Sequence, residues 1–335
     1  MKRLAIVLLS GGLDSMLAAR VLQEQGVAVE GLKVQTPFDA SQQPAIDAAR
    51  ELGVSLTIRR VEEDYVELLR RPQFGYGKAV NPCLDCHLYM AKMARRVLDE
   101  RGACVVASGE VLGQRPMSQK RQDLNLIARR SGLEGRLLRP LSAKRLDPTI
   151  AELEGWINRE RLYDFAGRGR RPLMELAGKL GLHRLPERSP GCALTTTTFA
   201  PRVHDLFHFN TNVTLWDCDL LRIGRHFRID PLHKVVLGRD AEENAALSEL
   251  AARADAVEAT LVEPRSFIGP RAMLCGPATG DLLQAVVRLM IEYTRQADSE
   301  CREALVCIQQ GQTRQDVRLE VGNVSSGDPL PRLIA

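Results

Sequence analysis

A short apolar run over residues 4–9, Leu-Ala-Ile-Val-Leu-Leu, turns at Ser10-Gly11-Gly12-Leu13-Asp14-Ser15 into the amphipathic pattern of residues 16–25. An uninterrupted apolar strand that breaks at two glycines and leads into a helix is the opening of a parallel α/β unit. The glycines permit a tight turn and close backbone approach, Ser10 and Ser15 bring hydroxyls, and the next helix points the positive end of its dipole at the loop. In such folds ligands bind outside the carboxyl edge of the sheet, and a phosphate or pyrophosphate is the guest that suits this loop. The loop is not a Walker A sequence, because no G-x-x-x-x-G-K-[S/T] occurs, and the G-x-G-x-x-G fingerprint is missing as well.

Working outward, strands are expected at 27–34, 54–58 and 104–107, and helices at 42–52, 62–69, 87–101, 119–130 and 149–161, with a loop holding Gly75 and Gly77. This rhythm predicts an α/β domain over residues 1–200, a doubly wound, mostly parallel sheet whose strands are covered on both faces. After residue 200 the pattern changes to strand-like segments at 221–229 and 234–237 and helices at 242–254 and 281–293, predicting a smaller α+β domain over 201–335. The end, 322–335, with Ser-Ser-Gly-Asp-Pro, reads as loosely held.

With 335 residues, 44% hydrophobic and 26% charged, the chain has enough apolar material for ordinary cores, which argues against disorder and against a small disulfide scaffold. Its apolar runs are far shorter than the roughly 18 to 20 residues a membrane helix needs. Met1-Lys2-Arg3 passes straight into the first strand without a signal-peptide core, so no membrane partner and a cytoplasmic location are expected. The net charge of +4 is unevenly divided: residues 1–200 carry 31 Lys/Arg against 23 Asp/Glu, and residues 201–335 carry 15 against 19. The excess sits in 111–188, with 17 against 9, and includes Arg168-Gly169-Arg170-Arg171. A polyanionic partner and a merely solvated surface both account for it.

Eight scattered cysteines fit reduced thiols better than a secreted framework. Two of them lie in Asn81-Pro82-Cys83-Leu84-Asp85-Cys86-His87, just ahead of a predicted helix whose N-terminal field favours thiolates, and a third, Cys192, lies in the turn-forming Ser189-Pro190-Gly191-Cys192. Three thiolates can ligate an iron-sulfur cluster and leave one iron for a transferable sulfide. Equally, Cys192 can carry a persulfide that Cys83 or Cys86 resolves as a disulfide. A structural zinc site with His87 as fourth ligand, or unreactive buried thiols, are the plainer readings. Cys104, Cys218, Cys275, Cys301 and Cys307 have no paired spacing and read as filler.

The stretch S-G-G-x-D-S resembles the PP-loop of the N-type ATP pyrophosphatases, whose fold is adenine nucleotide alpha hydrolase-like. That resemblance implies ATP and Mg2+, with Ser10, Gly11, Gly12, Leu13, Asp14 and Ser15 at the phosphates, Asp14 serving the metal, and Lys33, Val34 and Gln35 bordering the nucleotide. The run from Cys83 through Ala107-Ser108-Gly109-Glu110-Val111-Leu112-Gly113-Gln114 to Ser118-Gln119, with Arg139-Pro140-Leu141, is similar to the catalytic core of the tRNA 4-thiouridine synthetase family. The first loop, N-P-C-x-x-C and a distant cysteine are shared with the tRNA 2-thiouridylases.

The resemblance spans about residues 4–195 and implies an ATP-dependent tRNA sulfurtransferase: a uridine carbonyl oxygen is adenylated with loss of pyrophosphate, and sulfur then displaces AMP. On that reading Cys83, Cys86, Cys192 and Asp14 are catalytic, the three cysteines are the ligands of a [4Fe-4S] cluster or the persulfide relay, and Gly109, Glu110, Gln114, Ser118 and Gln119 lie near nucleotide or substrate. The implied partners are tRNA and a sulfur donor, either free sulfide or a cysteine desulfurase relay, with a homodimer left open. Two departures are expected: no RNA-binding domains ahead of the core, and no C-terminal rhodanese. RNA would then be gripped by the C-terminal segment, where Arg222, Arg225, His226, Arg228, Lys234 and Arg239 surround a predicted hairpin resembling the accessory domain of tRNA thiolation-like proteins; a solvated basic face is the alternative. A PP-loop ligase acting on a small molecule and a non-catalytic, nucleotide-dependent RNA-binding protein are the competing functions.

Overall fold

The run after Arg3 forms β1 (Leu4–Leu8), and Gly12 opens α1 (Leu13–Gln23), whose first turn holds Asp14. There follow β2 (Ala28–Gln35), α2 (Gln43–Leu52), β3 (Ser55–Arg60), α3 (Asp64–Arg70), α4 (Cys83–Arg101), β4 (Val105–Ser108), α5 (Arg121–Arg130), β5 (Leu137–Leu138), α6 (Ile150–Leu153) and α7 (Arg171–Lys179). In this computed structural model, which describes residues 3–39, 41–182, 191–294, 303–321 and 331–334, the chain divides into two compact units, Met1–Thr195 and Thr196–Ala335.

The first unit is the α/β layer structure expected from the sequence. Its five strands run parallel in the order β3-β2-β1-β4-β5, so β1 pairs with β2 on one side, Leu8 opposite Leu32, and with β4 on the other, Leu8 opposite Ser108. The strand order reverses between β1 and β4, which opens a crevice at their carboxyl ends. The central strands are apolar because both faces are covered: Ala5, Val7, Leu17, Leu22 and Val105 are buried in one core, and α4 packs on the opposite face through Ala91 and Ala94.

Three expectations are corrected. β3 is an exposed edge strand and is not covered on both faces. The helix expected over 149–161 stops at Leu153: Thr149 and Glu152 form a capping box, but Gly155 takes a φ of +67° and turns the chain out of the helix. Neither β5, only two residues long, nor α7 was anticipated.

The second unit contains α8 (Ala200–Phe209), α9 (Leu215–Leu220), β6 (Arg225–Arg228), β7 (Lys234–Leu237), α10 (Ala241–Ala251), β8 (Ala259–Pro264), β9 (Ala272–Cys275), α11 (Gly280–Glu292), β10 (Glu303–Gln310), β11 (Thr313–Glu320) and β12 (Arg332–Ile334). The strands form one antiparallel sheet in the order β11-β10-β8-β9-β7-β6-β12. α11 covers one face, Val286 and Met290 meeting Phe227, Val235, Leu274 and Val306, while Trp216 of α9 and Leu247 of α10 meet Val236, Leu261 and Met273 on the other.

The 322–335 end is not wholly loose, since β12 is hydrogen-bonded to β6; residues 322–330 lie outside the described residues. The expected hairpin is present as β6 and β7, but its basic residues do not make a free patch. His226 and Lys234 are buried, Arg228 is clamped on Asp205, and Arg239 is paired with Glu243. Among the described residues no helix is long and apolar enough to cross a membrane.

Candidate active site

A cavity of about 280 Å³ opens where the carboxyl ends of β1, β2 and β4 meet, with Ser10, Asp14 and Ser15 on one wall. The loop that forms this wall is pinned by its own small polar groups. The Ser15 hydroxyl donates to the Gly12 carbonyl at 2.8 Å, and the amides of Ser10 and Gly12 donate to Ser15 Oγ and Ser10 Oγ, each at 3.3 Å.

Both neighbouring approaches need glycine. At Gly11, with φ +83°, a Cβ would stand 2.3 Å from the Pro44 carbonyl carbon at the start of α2; at Gly109 it would stand 2.4 Å from that of Asp14. The segment after β4 is therefore pressed directly onto the loop. There Gln114 Nε2 donates to Asp14 Oδ2 at 3.0 Å, which leaves the carboxylate oriented along the cavity rim. Gly113 N donates to the Gln119 carbonyl at 2.7 Å and Arg115 N to Gln119 Oε1 at 3.1 Å, closing the 113–119 loop.

Two charged pairs line the same cavity. Lys33 Nζ donates to Asp39 Oδ2 at 2.8 Å, and Thr36 N fixes the same oxygen at 3.0 Å. Deeper, Glu110 Oε1 faces His87 Nδ1 at 2.9 Å, while Oε2 accepts from Arg139 Nε and Ser108 Oγ, both at 2.9 Å. Burial alone would raise the Glu110 carboxyl, but the Arg139 guanidinium and the His87 hydrogen bond outweigh it and hold the group down at about 2.

Two of the thiols lie in the first turn of α4, Cys86 one residue before the cavity-lining His87. Cys83 is the first residue of the helix and its Sγ accepts from Asn81 Nδ2 at 3.0 Å. Asp85 accepts from the amides of Gln73 and Phe74, at 2.9 and 3.1 Å, and so straps the preceding loop onto the helix. The 191–195 segment is laid across this loop by Val80 N donating to the Leu194 carbonyl at 3.3 Å and by Ala193 N donating to the Phe38 carbonyl at 3.4 Å. Cys192 lies in this segment, and a negative charge there, as on Asp39, disfavours a thiolate at Cys86.

Burial, opposed by a 3.3 Å hydrogen bond with Tyr65 and joined by these negative neighbours, pushes the Cys86 thiol up to about 12. That corrects the expectation that the helix field lowers it: desolvation outweighs the dipole at this position. Among the described residues no three His, Cys, Asp or Glu side chains sit close enough to hold a single metal ion, and His87, the fourth ligand a zinc site would need, is turned to Glu110.

Of the residues singled out in the sequence, Ser10, Asp14, Ser15, Lys33, Val34, Gly109, Glu110 and Gln119 line the cavity. Gly11, Gly12, Leu13 and Gln114 build the loops behind it, and Ser118 is buried. Gln35 is hydrogen-bonded to Gln42 and is not among the lining residues. Ser189 and Pro190 lie outside the described residues, as does Cys301. Asp39 and Arg115 were not foreseen as lining residues; the signal that could have found Asp39 is an acidic residue just past the carboxyl end of β2.

Residues 2–147 match the family model of the thiamine biosynthesis protein (ThiI), and residues 224–326 match that of the NFACT protein RNA binding domain. The tRNA-specific 2-thiouridylase MnmA of Pelobacter propionicus is 28% identical over 179 residues, covering 50% of this chain and 50% of the relative, so the chain spans about half the length of that curated relative. The crystal structure of a predicted subunit of tRNA methyltransferase from Methanocaldococcus jannaschii aligns with 52% of this chain and 74% of its own at 18% identity, with a TM-score of 0.36, too slight for a shared fold to be read from it. The chain is thus similar to the PP-loop proteins of tRNA uridine thiolation through its first unit, and to the NFACT RNA-binding domain through its second.

Proposed function

We propose that the protein is an ATP-dependent tRNA uridine sulfurtransferase. One observation carries the reading: Cys83 and Cys86 open the helix whose next residue, His87, lines the PP-loop cavity, and the segment holding Cys192 is hydrogen-bonded to Phe38 and Val80 of the same unit. A ligase acting on a small carboxylate would have no use for cysteines so placed.

In the proposed reaction the α1 N-terminus and the Ser10 hydroxyl hold the triphosphate, while Ser15, its hydroxyl given to the Gly12 carbonyl, shapes the loop. Asp14, oriented by Gln114, is the residue that would serve Mg2+, and Lys33 lies in the same cavity to neutralise phosphate charge. A uridine taken out of its stack presents a carbonyl oxygen to the α phosphorus; a P–O bond forms, pyrophosphate leaves, and the base carries AMP as a leaving group. Hydrosulfide then adds at the ring carbon and AMP departs with the former carbonyl oxygen, a substitution with no net oxidation.

The three thiols suit a [4Fe-4S] cluster as donors, because three protein thiolates leave one corner open. Bound there, the cluster would supply an iron at which sulfide is held and delivered. The persulfide route uses the same residues, with sulfur carried on Cys192 and a disulfide left behind that an external thiol must reduce.

Iron and acid-labile sulfide assays on anaerobically purified protein test the delivery step. About four of each per chain, lost in Cys83→Ala, Cys86→Ala and Cys192→Ala, is the expected result; a colourless, iron-free protein that still thiolates tRNA replaces the cluster with the persulfide.

A further inference from the structure

The cations that line the cavity are not equally free. Lys33 and Arg115 are its lining lysine and arginine. Lys33 Nζ is given to Asp39 at 2.8 Å, and the lining carboxylate Glu110 is held from behind by Arg139 at 2.9 Å. Among the described residues Arg115 pairs with no carboxylate, and its guanidinium donates no hydrogen bond. A guanidinium only donates, so what answers it is an acceptor, and its planar fork matches two phosphate oxygens.

The backbone at Arg115 is held more firmly than a solvated surface arginine requires. Its amide donates to Gln119 Oε1 at 3.1 Å, its carbonyl accepts from the Gln119 amide at 2.9 Å, and Gln119 is 4% exposed. Pro116, next in the chain, narrows the backbone choices of Arg115 further. Its other neighbour, Gln114, donates to Asp14 Oδ2 at 3.0 Å in the first turn of α1. The loop that grips the phosphate loop therefore also presents Arg115 to the cavity, whereas Arg168 and Arg170 are not among the lining residues.

What the guanidinium meets follows from the ATP-dependent reaction proposed above, on which this inference rests. Adenine and ribose are neutral, and a triphosphate stays anionic with a divalent cation bound, so the phosphates are the acceptors that ATP offers. As the uridine oxygen bonds to the α phosphorus, the bond from that phosphorus to the oxygen bridging to the β phosphate breaks. The electron pair leaves with pyrophosphate, and the base gives its N3 proton to water. Negative charge grows on the leaving group, and a cation fixed in advance stabilises the transition state most where charge grows.

We propose that Arg115 is a pyrophosphate clamp: its guanidinium binds the β and γ phosphates of ATP and stabilises pyrophosphate as it leaves.

Calorimetric titration of the full chain with ATP, pyrophosphate or AMP, each with Mg2+, tests the assignment beside the salt dependence of tRNA binding. Arg115→Met is expected to weaken ATP and pyrophosphate about tenfold or more and AMP by less than about threefold. The slope of log tRNA affinity against log salt is expected to stay at the wild-type value. Arg115→Lys, which keeps the charge and loses the fork, is expected to fall between wild type and Arg115→Met. An equal loss of AMP affinity places Arg115 on the α phosphate and overturns the clamp. Unchanged ATP and pyrophosphate affinity overturns it as well; a tRNA slope lower by about one then makes the partner an RNA phosphate. A wild-type chain that binds ATP no more tightly than AMP overturns the clamp alone. One that binds no ATP removes the proposed function, and this inference with it; one that binds ATP but thiolates nothing removes only the thiolation, and the titrations still decide the clamp.

Discussion

At Gly109 a methyl group would stand 2.4 Å from the carbonyl carbon of Asp14, so the backbone at Asp14 and the loop after β4 cannot move independently. Gly109→Ala is therefore expected to weaken ATP binding at least tenfold while secondary structure is retained, which calorimetric titration and circular dichroism check together. Arg139→Met removes the partner that holds Glu110 down and leaves a buried carboxylate uncompensated; urea unfolding should show a loss of about 3 kcal/mol, and a neutral result would mean that Ser108 and His87 suffice. The serines and glycines of the first loop were legible in the sequence because a strand, two glycines and a helix dictate that geometry locally. Asp39 and the buried route from Arg139 to His87 were not, since they depend on three loops meeting at one sheet edge.

Individual elements separate what periodicity encodes from what packing decides. β1 and β4 announce themselves because strands covered on both faces are almost wholly apolar, whereas residues 149–161 carry a helix start and a helical pattern that Gly155 cuts short. The hairpin β6–β7 was also legible, but its basic face was not, because the sequence does not say that Asp205 of α8 reaches Arg228 and Lys234. Burial pushes Lys234 down to about 8 against the weaker pull of Cys275 and Asp205. A lysine whose folded value is depressed binds its proton more weakly than the unfolded chain does. Its cost to stability, up to about 3 kcal/mol, is full below pH 8 and is relieved as pH rises from 8 to about 10.5. The unfolding midpoint of the full chain should rise over that window, and the rise should be missing in Lys234→Met; an identical pH profile in the variant would assign it to other groups.

For the whole molecule, the uneven charge noted in the sequence takes on a location. The arginine segment 168–171 is held next to the 112–114 loop by the Leu112–Ala166 bridge and by Gly167 N donating to the Leu112 carbonyl at 2.8 Å, so Arg168 and Arg170 stand near the loop that orients Asp14. If tRNA phosphates meet this rim, Arg168→Glu and Arg170→Glu should each lower the slope of log affinity against log salt by about one, measured by filter binding. ATP turnover without RNA should stay unchanged in both. The central claim, that the PP-loop and the three thiols act in one reaction, is tested most directly by coupled quantification of AMP and thiolated nucleosides after incubating unmodified tRNA with the anaerobically purified protein, ATP and sulfide. The account predicts one AMP per thiouridine formed, both products abolished by Asp14→Ala, and thiouridine abolished by Cys192→Ser. AMP release that continues with no thiolated nucleoside in wild type, or thiouridine formation that survives both substitutions, would contradict it.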